Sequence, residues 1–277
     1  MKRDGHTHTQ YCLHGSGEET EAFVIRAIEK GFEMYSFTEH LPLPETFLKE
    51  FPYSSEIKRQ LELRDNNLDN YIREMHDLKK KYKERIQLMV GFEMDYLPSE
   101  EAYLKCILKE YGKYLDDSLL SVHIIEGQGG FRCIDMNPED FKEGLINCYS
   151  SYEGVQLAYY KTVKQALMAD LGQYKPKRLG HFTLCNKFQH YFNQAGQTTE
   201  KIQKTVREIL LYMKETGWSI DTNMAGLFKE YCKEAYPSPW IIMEARRLKI
   251  PLVYGSDSHA VDHVGRGYDE YLSFLNE

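Results

Sequence analysis

One feature restricts the fold of this chain more than any other. Short apolar runs alternate, along its whole length, with longer polar stretches of helical period. Seven runs carry the strand signal: the opening MKRDGHTH, MYSFTEH from 34, IQLMVGFEMDY from 86, DSLLSVHIIE from 117, RLGHFTL from 178, GWSIDTNMAG from 217 and IPLVYGSDSH from 250. Between them the helical signal is clear. Ala22, Ile25, Ala27 and Ile28 recur at helical spacing, with Gly31 where a C-terminal cap belongs. The stretches 54–85, 100–115, 138–171 (one helix or two) and 198–216 follow, and Ser238-Pro239 offers an N-cap and first-turn proline to PWIIMEARRLK. Such alternation predicts a parallel α/β fold, and no repeat, low-complexity tract or linker divides it, so a single domain over 1–277 is expected.

The polar residues on those runs are unusual. His6 and His8 end the first, Glu39 and His40 the second; Glu93 lies late in the third, His123 in the fourth and His181 in the fifth. Asp221 and Asn223 lie late in the sixth, and Asp257 and His259 end the seventh. In a βα barrel, reactive groups gather at the C-terminal ends of the strands. Seven units ending this way predict a ring of ligands around one mouth. In a strand, residues two apart share a face, so His6 and His8 present two imidazoles side by side, with Asp4 below them.

Any one of these histidines could be a hydrogen-bonded core residue. Seven of the 10 in the chain, His6, His8, His14, His40, His123, His181 and His259, could not each find a private partner in one crowded region. His76, His190 and His263 stay outside the ring, and His76 reads as a solvated helix residue. The ring is imidazole and carboxylate without thiolate, which suits Zn²⁺, Mn²⁺ or Fe. Nine candidate ligands (His6, His8, His14, His40, Glu93, His123, His181, Asp257 and His259) exceed one tetrahedral ion and imply two or three, with a bridging carboxylate. Closely spaced ions that share a water are suited to hydrolysing a phosphoester.

Composition excludes other classes. The net charge of −7 argues against a surface that coats nucleic acid. No apolar run approaches the roughly 20 residues that span a bilayer, and the N-terminus has no secretory signal, so a cytoplasmic protein is expected. The six cysteines are scattered with no CxxC pair, and most are expected to be buried free thiols.

HTH near the start, TEH, the glutamate of GFEMDY, SVH, LGHFTL and GSDSH together resemble the polymerase and histidinol phosphatase (PHP) superfamily, from residue 4 to about residue 270. More narrowly, YCLHGSG, LGHFTLCNKF, NMAGL with YPSP, and HVGRGYDE are similar to histidinol-phosphate phosphatases of the PHP type. The resemblance implies a distorted seven-stranded (β/α)7, TIM-like barrel with a trinuclear metal site. His6, His8, Glu93 and Asp257 would hold one ion; Glu93 would bridge to a second held by His123 and His181; His14, His40 and His259 would hold a third. Glu93, His123 and Asp257 would form the catalytic core of a hydrolase. The implied reaction is attack of a metal-bridging hydroxide on the phosphorus of L-histidinol phosphate, releasing L-histidinol and phosphate.

Phosphate contacts are expected from Lys187 and Arg266, with Arg132 and Asn223 as further candidates. The family's basic residue after NxAGL is replaced by Phe228, so Lys229 is an expected substitute. GHFT stands where many PHP proteins place an aspartate, and Thr183 offers no carboxylate. The partner expected is a small phosphomonoester, with neither nucleic acid nor membrane. A phosphoesterase acting on another monoester or on nucleic-acid ends, and a non-catalytic metal-binding protein, are the rival expectations. The sequence carries no signal for oligomeric state.

Overall fold

The structure, a computed structural model, describes residues 1–61, 63 and 67–276. In chain order, β1 (Arg3–Asp4), α1 (Thr20–Glu29), β2 (Met34–His40), α2 (Glu45–Glu50), α3 (Ser55–Gln60), α4 (Leu68–Tyr82), β3 (Gln87–Asp95) and α5 (Glu101–Tyr111) form the first half. β4 (Leu119–Ser121), β5 (Ile124–Gly127), β6 (Gly130–Cys133), α6 (Pro138–Asp140), α7 (Asn147–Tyr149), α8 (Tyr152–Met168) and β7 (Arg178–Leu179) follow. The chain closes with α9 (Glu200–Thr216), β8 (Ser219–Asn223), α10 (Pro239–Arg247), β9 (Leu252–Gly255) and α11 (Tyr268–Asn276).

Seven strands pair in the order β1-β2-β3-β4-β7-β8-β9, every pair parallel. The ring closes between its first and last strands: Gly5 N donates to Tyr254 O at 2.8 Å, Asp257 N to His6 O at 2.8 Å and His8 N to Ser258 O at 2.9 Å. This is the expected distorted (β/α)7 barrel. The strands are short, and several polar residues leave them just where regular pairing stops.

Three expectations shift. The run DSLLSVHIIE does not form one strand. It leaves the barrel after Ser121, and Ile124 begins an antiparallel hairpin with β6. The break puts His123 at the barrel mouth. On α1 the buried stripe is Thr20, Phe23, Val24 and Ala27, because Ile25, 40% exposed, turns to solvent. Gly31 does adopt the left-handed φ of +74° expected of a cap. The stretch 54–85 holds two helices, α3 and α4, with residues 62 and 64–66 outside the described set, and α2 was not foreseen.

Large apolar side chains between sheet and helices form the main core, among them Trp218, Tyr35, Phe37, Phe92, Leu179 and Ile220. A second cluster joins Phe47, Leu48 and Phe51 on and after α2 to Ile124 and Cys133 of the hairpin, placing both over the mouth. The opposite end is plugged by charge. Asp117 Oδ2 accepts from Arg3 Nη2 at 2.5 Å, Arg178 Nη2 at 2.9 Å and Ser36 Oγ at 2.5 Å. One end is thus sealed and the other presents the polar ring.

Candidate metal centre

Glu93, buried on β3, is the hub. Its Oε2 lies 3.1 Å from His6 Nε2, 3.5 Å from His8 Nε2 and 3.4 Å from His40 Nδ1. Its Oε1 lies 2.7 Å from His181 Nε2 and 3.6 Å from His123 Nε2, and accepts from Ser121 Oγ at 2.7 Å. One carboxylate therefore faces two imidazole groups, one through each oxygen. Asp257 Oδ1 lies 3.2 Å from His8 Nε2, 3.8 Å from His6 Nε2 and 3.4 Å from His259 Nδ1. All nine expected ligands meet around this mouth, and the pair of His6 and His8 share a face with ring centroids 5.4 Å apart.

The hydrogen bonds fix which nitrogen each ring offers. His6 Nδ1 donates to Asp221 Oδ2 at 2.7 Å, His8 Nδ1 to Glu39 Oε1 at 3.1 Å and His123 Nδ1 to Asp95 Oδ1 at 2.6 Å. His14 Nδ1 donates to Gln60 O at 3.0 Å and His259 Nδ1 to Asp257 O at 3.1 Å. A carboxylate or carbonyl accepts, so each Nδ1 carries the proton and each Nε2 of a neutral ring is a lone pair. With the rings neutral, five lone pairs point into one space already holding Glu93 and Asp257. His14 Nε2 and His259 Nε2 stand 3.0 Å apart, lone pair to lone pair. His8 Nε2, His40 Nε2 and His181 Nδ1 are buried without a hydrogen-bond partner among the described residues. Repelling lone pairs and orphaned nitrogens are what divalent cations would relieve, and the N/O donor set matches the first-row ions expected. The residues fit a metal centre.

Electrostatics agree. Burial opposes charge on His8, yet Asp257 and Glu39 outweigh it and push the ring up to about 9. Burial likewise opposes charge on His123, and Asp95 and Glu93 push it up to about 10. Glu93 is held far below the usual carboxylate range: burial disfavours its charge, but His6, His123 and His181 prevail. Burial, with the neighbouring His8, drives His40 and His259 well down and keeps them as neutral donors. The backbone is strained at two residues of the ring, with φ of 20° at His181 and 50° at Asp257. Gly180 is required beside the first, because a Cβ there would lie 2.0 Å from Ser121 Oγ, which holds Glu93.

Sequence reasoning missed the positioning carboxylates. Glu39 and Asp221 were seen at strand ends without a role, and Asp95 went unnoticed. The signal was present: Asp95 sits two residues beyond Glu93 on the same strand, and Glu39 precedes His40. Cys12 is a buried free thiol as expected, and its sulfur joins His8, His40 and His259 in one group whose donor atoms lie within 4.8 Å of one another.

The expected phosphate contacts divide. Lys187 lines the cavity above the ring, its Nζ 3.0 Å from Asp135 Oδ2 and 2.8 Å from Asp135 O. Lys229 lines it too, with no ion-pair partner among the described residues. Arg266 is spent elsewhere: it donates to Ser256 O and Asp257 O at 2.9 Å each and stacks on Phe228, so it braces the loop carrying Asp257. Arg132 is a correction, being on the hairpin, bound to Gln128 O at 3.0 Å and Asp140 Oδ1 at 3.1 Å, and off the cavity wall. Asn223, fully buried, donates to Asp257 Oδ2 at 3.1 Å and Asp221 Oδ2 at 3.3 Å and orients both. Thr183 Oγ1 accepts from Ser238 N at 3.1 Å and anchors the start of α10. Ser238 stands at the N-cap as expected, but its side chain makes no cap bond and donates instead to Glu234 Oε1 at 2.6 Å.

Comparison with known proteins places this geometry among relatives. A family model described as the PHP domain matches residues 4–225. The chain is 40% identical over 272 residues to a histidinol-phosphatase of Bacillus subtilis (strain 168), covering 98% of both chains, and 28% identical to a probable histidinol-phosphatase of Schizosaccharomyces pombe over 100% of this chain and 87% of that one. The crystal structure of the hisK protein of Listeria monocytogenes superposes with a TM-score of 0.95 at 44% identity, over 98% of this chain and 100% of that one. A Lactococcus lactis histidinol phosphate phosphatase, solved with zinc, L-histidinol and phosphate, shares the fold at a TM-score of 0.71 and 17% identity, over 99% of this chain and 92% of that one.

Proposed function

The chain belongs to the PHP domain family, and from that premise we propose that it hydrolyses L-histidinol phosphate to L-histidinol and phosphate in a metal-dependent reaction. The observation that carries this reading is 40% identity to a histidinol-phosphatase across essentially the whole of both chains. The nine-residue ring at the barrel mouth supports it chemically.

In this reading His6, His8, Glu93 and Asp257 hold one divalent ion, Glu93 with His123 and His181 a second, and His14, His40 and His259 a third, of zinc, manganese or iron. When bound, the ions supply an acidified water and positive charge for the phosphate oxygens. The protein does the rest. Asp221, Glu39 and Asp95 lock three imidazoles in the tautomer that presents Nε2 to the ring. Lys229, without an ion-pair partner among the described residues, and Lys187 offer ammonium groups to a phosphate dianion. The apolar side chains of Leu61, Ile124 and Leu184 line the same cavity and fit the carbon skeleton and ring of the alcohol.

In this reading the whole chain acts as one metallophosphoesterase domain in histidine biosynthesis, working in the cytoplasm. No helix among the described residues is long and apolar enough to cross a membrane. A net charge of −7 disfavours nucleic acid as a partner. The test is phosphate release by metal-replete protein from histidinol phosphate, nucleoside monophosphates and single-stranded DNA. Turnover should be greatest with histidinol phosphate; good turnover of a nucleotide or DNA alone would overturn the assignment.

A further inference from the structure

Among the described residues four carboxylates line the cavity, and three are accounted for. Glu93 and Asp257 face the ring imidazoles, and Asp95 holds His123. The fourth, Asp135, has no imidazole within ion-pair distance among the described residues; it acts on His123 and His181 only through space and pairs with Lys187. A site built only to bind a phosphate dianion gains nothing from it. The carboxylate repels the incoming anion and neutralises a lysine that would otherwise attract it. Lys187 is its cation at rest, and once a phosphate claims that lysine the carboxylate is free to receive a cation of the substrate.

Resting on the histidinol phosphate reading, we propose that Asp135 selects the substrate's ammonium group, and that the Lys187–Asp135 ion pair opens to receive a substrate of two opposite charges. In histidinol phosphate the amino-bearing carbon is separated from the ester oxygen by one methylene, so ammonium and phosphate lie close together on one short segment. The pair presents the complementary charges at the same scale, its Nζ and Oδ2 3.0 Å apart. On binding, the phosphate takes Lys187 and the ammonium takes Asp135, so no charge is left without a counterpart.

The local geometry permits the exchange. Asp135 follows the hairpin strand β6, whereas Lys187 follows the turn after β7, so the two are carried on separate elements. Their side chains are 29% and 21% exposed, a partly solvated pair of modest strength. Lys187 Nζ also donates to the Asp135 backbone carbonyl at 2.8 Å. That second bond keeps the ammonium near the wall when the carboxylate turns to the substrate. The Ile124 and Leu184 side chains stand on the same wall and suit the imidazole-bearing carbon next to the amine.

The rival role for Asp135 is positioning of Lys187 alone, and the two roles separate kinetically. The measurement is kcat/KM of wild type and Asp135→Asn on L-histidinol phosphate and on the same ester lacking the amino group, with metal content and Tm recorded for both proteins. Wild type should prefer the amine-bearing ester, and Asp135→Asn should lower that preference by about 10- to 100-fold, as expected for one lost charged hydrogen bond, mainly through KM. Asp135→Glu should restore part of it. Metal content should match wild type. An equal fall on both esters would assign Asp135 to positioning and overturn the inference while leaving the function intact, as would a wild type that turns over both esters alike. If the wild type hydrolyses p-nitrophenyl phosphate but neither ester, the substrate reading fails and this inference with it.

Discussion

At the scale of single residues, the ring is defined less by its histidines than by what holds them. A hydrogen bond at one nitrogen fixes which nitrogen a histidine presents, and five of the seven are fixed through Nδ1. The ring therefore has two levels that mutation should distinguish. Glu93→Gln and His123→Ala remove donor atoms, and both should lose metal and activity together while circular dichroism shows the fold retained. Full metal content in either variant would contradict the assignment. Asp221→Asn leaves every donor in place but loosens His6, so metal affinity should fall by roughly 10- to 100-fold, read by competition with a chromogenic chelator. His76, bonded to the Tyr114 carbonyl at 2.8 Å on the outer face of α4, is the control, and His76→Ala should leave kinetics unchanged. That the ring histidines other than His14 would gather at one mouth was legible in the sequence, because each stands at the end of a strand-like run. Their carboxylate partners were not, since an aspartate at Asp95 or Asp221 reads the same whether it binds metal, orients an imidazole or meets solvent.

At the scale of elements, strand periodicity and parallel alternation were legible because each barrel strand is buried on both sides and so reads as an apolar run. β2 matches its sequence run residue for residue, from Met34 to His40. The hairpin β5–β6 was hidden, because SVHII continues the apolar run of β4 and nothing local announces that Val122 and His123 leave the barrel. Arg132 was misplaced for the same reason: a residue on an unforeseen hairpin cannot be assigned a direction. The closed end of the barrel was also unforeseen, since Arg3, Ser36, Asp117 and Arg178 are far apart in sequence and ordinary singly. There a stability prediction follows. Burial disfavours the Asp117 charge, but Arg178 and Arg3 hold its carboxyl below the usual range. Arg178 is only 4% exposed, so Asp117→Asn strands a buried guanidinium and should cost about 3 kcal/mol at neutral pH. A carboxylate with a lowered folded pKa contributes stability that is present above its unfolded value of about 4 and lost as pH falls through the folded one. The difference between wild type and variant in urea unfolding should hence shrink only below about pH 4. A gap that stays constant in acid would exclude the ion-pair origin.

At the scale of the whole molecule, fold and metal centre are coupled, because a closed barrel converges its strand ends whether or not the charges gathered there are balanced. Without ions, protons take the place of the cations. His8 is raised to about 9 and His123 to about 10, each against the pull of burial, by the carboxylates around them. The unfolded chain binds those protons only below about pH 6.5. A raised folded pKa contributes stability that is complete below the unfolded value and is lost as pH climbs through the folded one. The metal-free protein should therefore lose stability between about pH 6.5 and 10 as its substitute cations dissociate. Divalent ions must displace the same protons, so uptake should release protons and tighten as pH rises across that window. The two trends act in the same direction on the difference between loaded and stripped protein. Metal at about 1,000 times its dissociation constant stabilises by roughly 4 kcal/mol, which for a chain of this size is a Tm increase on the order of 10 °C. Thermal unfolding of chelator-stripped and reconstituted protein should show that increment small at pH 6 and growing to pH 9. Calorimetric titrations in buffers of different ionisation enthalpy should count protons released on binding. An increment that is flat with pH, with no proton released, would mean that the histidines of the empty ring are already neutral and that their carboxylate neighbours do not govern them.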